Sequence, residues 1–243
     1  MASVLYRTAT PHRTDARDRR LIHGVVSRFI SSFLGASSPH IVALETCCRT
    51  FTVRRGDVIA RRGARLPGVF ALAYGFVKLV LRGAREEGRV LRVVAAGQTF
   101  SEATALLGRP APYDVVAIVD CRLVVIPSAA IFSLMDCEPR VARGMVRLLA
   151  ERSLMYVGEV ESATMRRGTQ RLASYLRSLA QPDEAKVCVV HLPVSKSVVA
   201  ARLGLHRETL SRLLRQFADD GLIAVSRRDI AILDPERLTE VAS

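Results

Sequence analysis

The sequence predicts an α+β protein with three parts: a β-barrel or sandwich, a long helix and a winged helix-turn-helix. Three observations predict it. Short β-rich runs punctuated by glycines fill residues 51–127, which is typical of an all-β unit. Glycine and proline then become sparse between residues 129 and 179, which favours helices. After residue 187, a short strand, two helical segments and a hairpin follow in the order of a winged helix-turn-helix.

Composition and charge narrow the class of protein. Hydrophobic residues make up 49% and charged residues 24% of the 243 residues, which is enough for a buried core. The chain has no apolar run of about 18 residues and no signal-peptide core, so we expect a cytoplasmic protein with no membrane partner. Its five cysteines are odd in number and widely spaced, unlike a disulfide framework. The net charge of +13 suggests a polyanionic partner, with nucleic acid as the first candidate.

The changes of pattern divide the chain into four segments. Residues 1–34 are predicted to form a basic tail, ending near residue 20, and a helix. Residues 35–136 are predicted to form the β-rich domain, residues 137–166 the long helix, and residues 167–243 the winged helix-turn-helix. Within the β-rich domain, strands are predicted at residues 51–53, 58–60, 69–74, 76–82, 90–95, 115–119 and 123–126.

The long helix is predicted over residues 140–166, which exceeds the usual length in a globular domain. Long helices of this kind often pair in a coiled coil, so we expect a homodimer. Arg152 and Glu159 interrupt the apolar stripe, and packing against the chain's own barrel is the alternative. The apolar positions are Val141, Met145, Leu148, Leu149, Met155, Tyr156, Val160 and Ala163.

The spacing of small residues between 195 and 207 is that of a helix-turn-helix. Ser195 is predicted as the N-cap of the first helix, and Ala200 is small where a second helix must approach. Gly204 follows at the tight turn, where positive φ is needed. An ordinary helical hairpin with a solvated charged face is the alternative.

The second helix carries the predicted base-reading residues, which are Arg207, Glu208, Ser211 and Arg212. Glu208, Ser211 and Arg212 share one helix face, as residues that enter a major groove must. Arg212 can donate two hydrogen bonds to guanine, and Glu208 can accept one from cytosine. Contacts to the phosphates of double-stranded DNA are expected from Ser195, Lys196, Arg202, Thr209, Arg215, Arg227 and Arg228.

Several segments carry a family resemblance. They are Arg55-Gly56-Asp57-Val58-Ile59, Gly75-Phe76-Val77-Lys78, Gly97-Gln98-Thr99-Phe100-Ser101-Glu102 and Arg207-Glu208-Thr209. From about residue 45 to its end, the sequence resembles the Crp-Fnr superfamily of bacterial transcription regulators. The resemblance implies that the β-rich domain is a double-stranded β-helix, the cyclic-nucleotide-binding-like β-roll.

The pattern Glu208-x-x-Ser211-Arg212 is similar to that of the Fnr-like members. It implies TTGAT-type half-sites in an inverted repeat, read by a dimer. The family also implies RNA polymerase as a partner and a role as an activator. Residues 99–103, 192–196 and 228–234 are similar to the Dnr subgroup, which governs nitrogen-oxide responses.

The sensor domain departs from the cyclic-nucleotide binders of this family. Glu102 is kept, but the family's Arg-Ser pair falls on Pro112 and Tyr113, and its adenine-reading pair falls on Tyr156 and Val157. Proline offers neither charge nor N–H to a phosphate, so no cyclic AMP is expected. The predicted sensor pocket contains Glu102, Tyr113, Met155 and Tyr156.

The Dnr resemblance implies haem that binds nitric oxide. Haem requires an axial ligand, usually histidine, and His40 is the best-placed candidate, with His191 second. From the residues alone, each histidine is more often a surface or capping residue. An iron–sulfur cluster is not expected, because Cys47 and Cys48 are adjacent and cannot wrap a cluster.

Other functions stay open at the level of sequence. They are a constitutive or thiol-redox-gated regulator, a cyclic-nucleotide-responsive regulator, and a sensor module that acts on a protein partner. An enzyme is not expected, because the sequence contains no recognisable nucleophile–base pair, phosphate loop or metal-spaced cluster.

Overall fold

The computed structural model describes residues 16–34, 39–81, 88–165, 167–180 and 188–242. The chain divides into two compact units, Met1–Ser153 and Leu154–Ser243. Within the described residues, no helix combines the length and apolar character needed to cross a membrane.

The first unit begins with helices α1 (Ala16–Leu34) and α2 (Pro39–Cys47). The predicted end of the tail near residue 20 is wrong, because α1 already begins at Ala16; residues 1–15 lie outside the described part. Asp18 is buried, accepts a hydrogen bond from Thr50 at 3.0 Å and pairs with Arg122. These two strand residues attach the start of α1 to the sheet.

Antiparallel strands form the β-roll that the resemblance implied, so the predicted fold class is confirmed. In the described part, β1, β8, β3 and β6 form one four-stranded sheet, and β2, β7, β4 and β5 form the other. Their inward side chains form a common core that includes Phe70 and Phe100, with stacked rings whose centroids lie 5.1 Å apart. The bounds are β1 Arg49–Val53, β2 Val58–Ala60, β3 Gly68–Tyr74, β4 Phe76–Leu81, β5 Arg89–Ala95, β6 Thr99–Phe100, β7 Asp114–Ala117 and β8 Cys121–Pro127.

Four short elements of this unit were not predicted. They are helix α2, strand β6, helix α3 (Glu102–Leu106) and helix α4 (Ser128–Cys137). Strand β6 has two residues and α3 has five, which is too short for a recognisable hydrophobic period. Helix α4 buries Ile131 and Leu134 against a second apolar cluster between the sheet and the helices.

The long helix α5 spans Pro139–Met165, close to the predicted 140–166. Its predicted apolar positions lie in two different environments. Val141 and Met145 are buried in the first unit, and Leu148 packs against the same cluster, so these positions face the chain's own sensor domain. Val160, farther along the predicted stripe, is 62% exposed, and Val157, which the predicted stripe did not include, is 61% exposed.

The second unit holds the winged helix-turn-helix. Its strands form one antiparallel sheet in the order β10-β11-β9. The C-terminal helix α9 was not predicted. Its Leu238 side chain is fully buried and so anchors the helix in this unit. The bounds are α6 Gly168–Leu179, β9 Cys188–His191, α7 Lys196–Arg202, α8 Arg207–Asp219, β10 Ile223–Ser226, β11 Asp229–Ile232 and α9 Pro235–Ala242.

Candidate DNA-binding surface and sensor site

Helix α8 has one buried face and one exposed face. Leu210, Leu213, Leu214 and Phe217 are buried, with exposures of 8% or less. The opposite face exposes the four predicted base-reading residues, which are Arg207, Glu208, Ser211 and Arg212. Since the leucines fix the rotation of α8, its polar side chains point to solvent as one group.

The turn between α7 and α8 holds the two helices at a fixed distance. Gly204 has φ of +63°, in the left-handed region that other residues adopt at a cost. The backbone N–H of Leu205 then donates to the carbonyl oxygen of Ala200 at 2.9 Å. Ala200 is 1% exposed, as expected for a small residue beneath a second helix.

The predicted phosphate contacts are distributed around α8. Lys196 lies in the first turn of α7, and Thr209 is half-buried in the first turn of α8. Arg215 is exposed one turn beyond Arg212. Ser195 occupies the N-cap position of α7, but its side chain makes no capping hydrogen bond; its Oγ lies 2.9 Å from the Oγ of Ser197.

Arg202, also predicted to contact a phosphate, is engaged in an ion pair. Its guanidinium donates to the Glu159 carboxylate at 3.2 Å and lies 5.5 Å from the centre of the Tyr175 ring. In the structure, which holds no DNA, the Arg202 side chain has an acidic partner within its own unit. The phosphate contact at Arg202 stays a prediction. Arg202 and Glu159 are separated by 43 residues, so no local sequence pattern predicts their pairing.

The wing presents two further arginines. Arg227 and Arg228 form the turn between β10 and β11, and both are exposed. Arg227 has φ of +55°, which places this turn in the left-handed region. The N–H of Leu192 donates to the carbonyl oxygen of Arg228 at 2.8 Å, which attaches the turn to the chain after β9.

Glu102 is the buried carboxylate of the sensor domain, at 6% exposure. Thr99 Oγ1 donates to its Oε1 at 2.5 Å, and the guanidinium of Arg152 lies 3.8 Å from the same oxygen. Ser101, just before it, has φ of +67° and donates from its Oγ to the carbonyl oxygen of Gly68 at 3.0 Å. The start of α3 is thus fixed to β3 and to the long helix α5.

Comparison with known families matches both parts of the chain. Residues 50–137 match the family model described as a cyclic nucleotide-binding domain, and residues 170–241 match the one described as a Crp-like helix-turn-helix domain. This chain belongs to the Crp/Fnr family of transcription regulators. Regulators of this family bind DNA, act as dimers and are not enzymes.

Individual Crp/Fnr relatives are distant in sequence but similar in length. The CRP-like cAMP-activated global transcriptional regulator of Mycobacterium tuberculosis is 24% identical over 86% of this chain and 95% of its own length. The transcriptional regulator SdrP of Thermus thermophilus is 28% identical over 79% and 94%. The solved structure of FixK2 from Bradyrhizobium japonicum has a TM-score of 0.70 at 19% identity, covering 81% of this chain and 98% of that one, and shows the shared fold.

The other predicted sensor residues of this Crp/Fnr protein lie in different settings. Tyr113 is 7% exposed and belongs to the core of the β-roll. Met155 and Tyr156 are half-buried and belong to the second unit. The carboxylate of Glu102 is held by Thr99 and Arg152, neither of which the sequence singled out for the sensor pocket.

The described histidines do not fit a haem ligand inside the β-roll. His40 lies on α2, is 41% exposed and has its Nε2 3.4 Å from Glu138 Oε1. His191 is exposed on β9 of the second unit and pairs with Asp229 at 2.6 Å. The buried core of the β-roll, as far as the structure describes it, contains no histidine.

The adjacent cysteines differ in environment. Cys47 is exposed, whereas Cys48 is 5% exposed and donates from its Sγ to the carbonyl oxygen of Leu44 at 3.3 Å. Burial, with smaller contributions from Cys47 and Glu45, raises the pKa of Cys48 to about 12. A thiol with that pKa is protonated at neutral pH and is a poor nucleophile, so Cys48 does not fit a redox switch.

Proposed function

We propose that this Crp/Fnr regulator binds, as a homodimer, an inverted repeat with TTGAT-like half-sites and activates transcription together with RNA polymerase. The observation that carries the proposal is the exposed polar face of α8. Its residues stand on a helix whose other side is buried, and a wing with two exposed arginines follows it. A fixed helix face beside a basic wing is what docking into a major groove requires.

Each residue of the face has a distinct role in this proposal. Arg212 donates two hydrogen bonds to a guanine, and Glu208 accepts one from the amino group of a cytosine. Ser211 lies between them on the same face. Lys196, Arg215 and Arg228 neutralise phosphates and set the register without reading sequence.

The exposed side of α5 supports the homodimer. Val146, Ala150, Ser153, Val157 and Val160 recur at alternating spacings of four and three residues, and all are exposed in the single chain. This is the heptad pattern of a two-stranded coiled coil. Val146, Val157 and Val160 are each more than 60% exposed, an arrangement that a second copy of the helix would relieve.

We propose that a ligand of the sensor domain controls DNA binding. Its binding would shift α5 and thereby the winged helix-turn-helix. The resemblance to the Dnr subgroup supports a nitrogen-oxide signal. Its delivery through haem stays a prediction, since the described histidines do not fit an axial ligand.

A binding experiment with three DNA duplexes tests the function. The full chain is titrated onto a fluorescent duplex with two TTGAT half-sites in inverted repeat, onto one with a single half-site, and onto a scrambled duplex. We expect the inverted repeat to bind tightest and with one dimer per duplex. Equal affinity for all three duplexes would refute sequence-specific reading, and one monomer per repeat would refute the dimer.

A further inference from the structure

A cleft rich in arginine lies on the sensor unit, outside the core of the β-roll. Helix α1, the turn between β5 and β6 and the first half of α5 form its walls, and its volume is about 740 Å³. Five arginines and one acid line it: Arg28, Arg140, Arg143, Arg147, Arg152 and Glu151. Neither the base-reading surface nor the predicted sensor residues account for this concentration of positive charge.

Three of the arginines share one face of α5. Arg140, Arg143 and Arg147 recur at spacings of three and four residues, so their side chains project in the same direction. This face differs from the one that carries Val141 and Met145 into the core. Like charges placed this closely repel each other, so an unliganded cleft is unfavourable for α5.

The acidic residues nearby do not neutralise the cleft. Glu151 pairs with Arg147 at 3.0 Å, but both side chains are largely exposed. Arg152 has Glu102 at 3.8 Å, and its buried Nε–H has no acceptor among the described residues. Arg140 and Arg143 make no ion pair in the part of the chain that the structure describes.

The wall of the cleft opposite α5 contains Gly97, in the turn between β5 and β6. Gly97 has φ of +83°, and its N–H donates to the carbonyl oxygen of Leu72 at 2.7 Å. A Cβ atom at this position would lie 3.0 Å from a terminal nitrogen of Arg28. The absence of a side chain at Gly97 therefore leaves room for the Arg28 guanidinium beside the turn.

We propose that this cleft binds a small ligand with two or more phosphate groups. Guanidinium groups match phosphate oxygens two at a time, and a cluster of them requires several negative charges on one ligand. The volume lies within the range of about 300–1,000 Å³ that is usual for small-molecule sites. A concave site between two helices and a turn favours a compact ligand over a DNA duplex, which needs an extended convex or flat surface.

The proposed ligand contacts the helix that the dimer also uses. Arg143 and Arg147 flank Val146, which belongs to the exposed heptad stripe. A phosphorylated ligand would lower the repulsion along this stretch of α5 and so favour one placement of the helix. Only this effect on DNA affinity depends on the proposed function; binding in the cleft does not.

Isothermal titration of the full chain tests the site without DNA. The probes are inorganic pyrophosphate, adenosine diphosphate and citrate, each at low salt. We expect saturable binding of both diphosphates, at least about tenfold tighter than citrate, since a terminal phosphate group offers three oxygens to the arginine forks and a single carboxylate offers two. No saturation with either diphosphate, or equal affinity for citrate, would overturn the proposal.

Two variants and one control locate the site. Arg143→Gln and Arg140→Gln should each weaken pyrophosphate binding by about tenfold, because each removes one guanidinium from the cluster. Arg61→Gln removes an exposed arginine of the same unit outside the cleft and should leave binding unchanged. Circular dichroism identifies a misfolded variant, in which case the other variant decides. Equal losses in all three would show unspecific attraction to a basic protein and refute the site.

A final measurement separates the two proposals. The affinity for the duplex with the TTGAT inverted repeat is compared with and without pyrophosphate in the same buffer. Binding of pyrophosphate without binding of the duplex would refute the proposed function and would still support the ligand site in the cleft. Competition of scrambled duplex with pyrophosphate for the cleft, abolished by Arg143→Gln, would show that DNA occupies it and would refute the small-ligand proposal.

Discussion

Arg202 donates a hydrogen bond to Glu159 at 3.2 Å and so connects α7, the first helix of the helix-turn-helix, to the end of the long helix α5. In the sensor unit, Arg152 of the same long helix lies 3.8 Å from Glu102. Arg152 and Glu159 are the two charges that interrupt the apolar stripe of α5. Each of them has a partner of opposite charge within its own unit, so the interruptions are attachment points of the helix.

The Arg202–Glu159 pair should contribute measurably to stability. Both side chains are about three-quarters buried, so Glu159→Gln should lower the free energy of unfolding by about 1 kcal/mol. Urea unfolding followed by circular dichroism measures the change. Glu151→Gln, in the largely exposed pair with Arg147, should change it by less than about 0.5 kcal/mol. Equal effects of the two substitutions would contradict an attachment role for Glu159.

Arg212→Ala should remove sequence-specific affinity. The loss expected at a guanine read by two hydrogen bonds is about 1–3 kcal/mol on the TTGAT repeat, with little change on scrambled DNA. Fluorescence anisotropy on both duplexes measures the difference. Arg177→Ala, at an exposed arginine of α6, serves as the control and should leave both affinities unchanged. Equal weakening on both duplexes would reduce Arg212 to a phosphate contact.

Arg228→Ala should act on affinity without acting on specificity. A lost phosphate contact weakens binding to all sequences alike and lowers the slope of log affinity against log salt by about 1. Titrations of the repeat and the scrambled duplex at four salt concentrations measure both quantities. An unchanged slope, or a loss confined to the repeat, would exclude a phosphate role for this wing arginine.

Val157→Asp should break the homodimer. The substitution places a carboxylate opposite its own copy on the seam of the coiled coil, where both desolvation and like-charge repulsion oppose pairing. Light scattering after gel filtration should then give the 26.6 kDa of one chain in place of twice that mass. Val189→Asp makes the same change at 64% exposure on β9 and should remain dimeric. A dimeric Val157→Asp protein would place the interface elsewhere.

Cys48 predicts an alkaline limit to stability. Its pKa of about 12 in the folded protein lies above the value of about 8.5 for a free thiol. Between these values the folded state retains a proton that the unfolded state releases, so stability is full below about pH 8.5 and falls as the pH rises. Urea unfolding from pH 7 to 10.5 should show this decline, and Cys48→Ala should flatten it. Cys47→Ala, at an exposed thiol, should not; identical slopes in both variants would contradict the assignment.

Local patterns in the sequence account for much of the fold. The strands from Val58 to Tyr74 and the helix Arg207–Asp219 follow predicted limits closely, because glycines mark the turns and leucines mark the buried face. Strand β6 and helix α3 escaped prediction since neither is long enough to show a period. The start of α1 escaped because Asp18 looks like a residue of a polar tail until its partner Arg122 is known.

The candidate sites also contain some residues that the sequence predicts and others that only the fold brings together. The exposed face of α8 depends on residues three and four positions apart, which a sequence displays directly. The ion-pair partners of Glu102 and Arg202, which are Arg152 and Glu159, lie 50 and 43 residues away along the chain, so only the folded protein reveals them. The arginines of α5 do show a helical spacing, but Arg28 joins them through the fold of the sensor unit.

The polar face of α8 has a thermodynamic consequence for the free protein. Arg207, Arg212 and Arg215 stand within about two turns of one another, and their mutual repulsion opposes folding wherever no polyanion is bound. Operator DNA at a hundredfold its dissociation constant adds about 2.7 kcal/mol to the stability of the folded state. A regulator built in this way resists heat and proteolysis when seated on its promoter, and its lifetime in a cell then depends on how many operators are available.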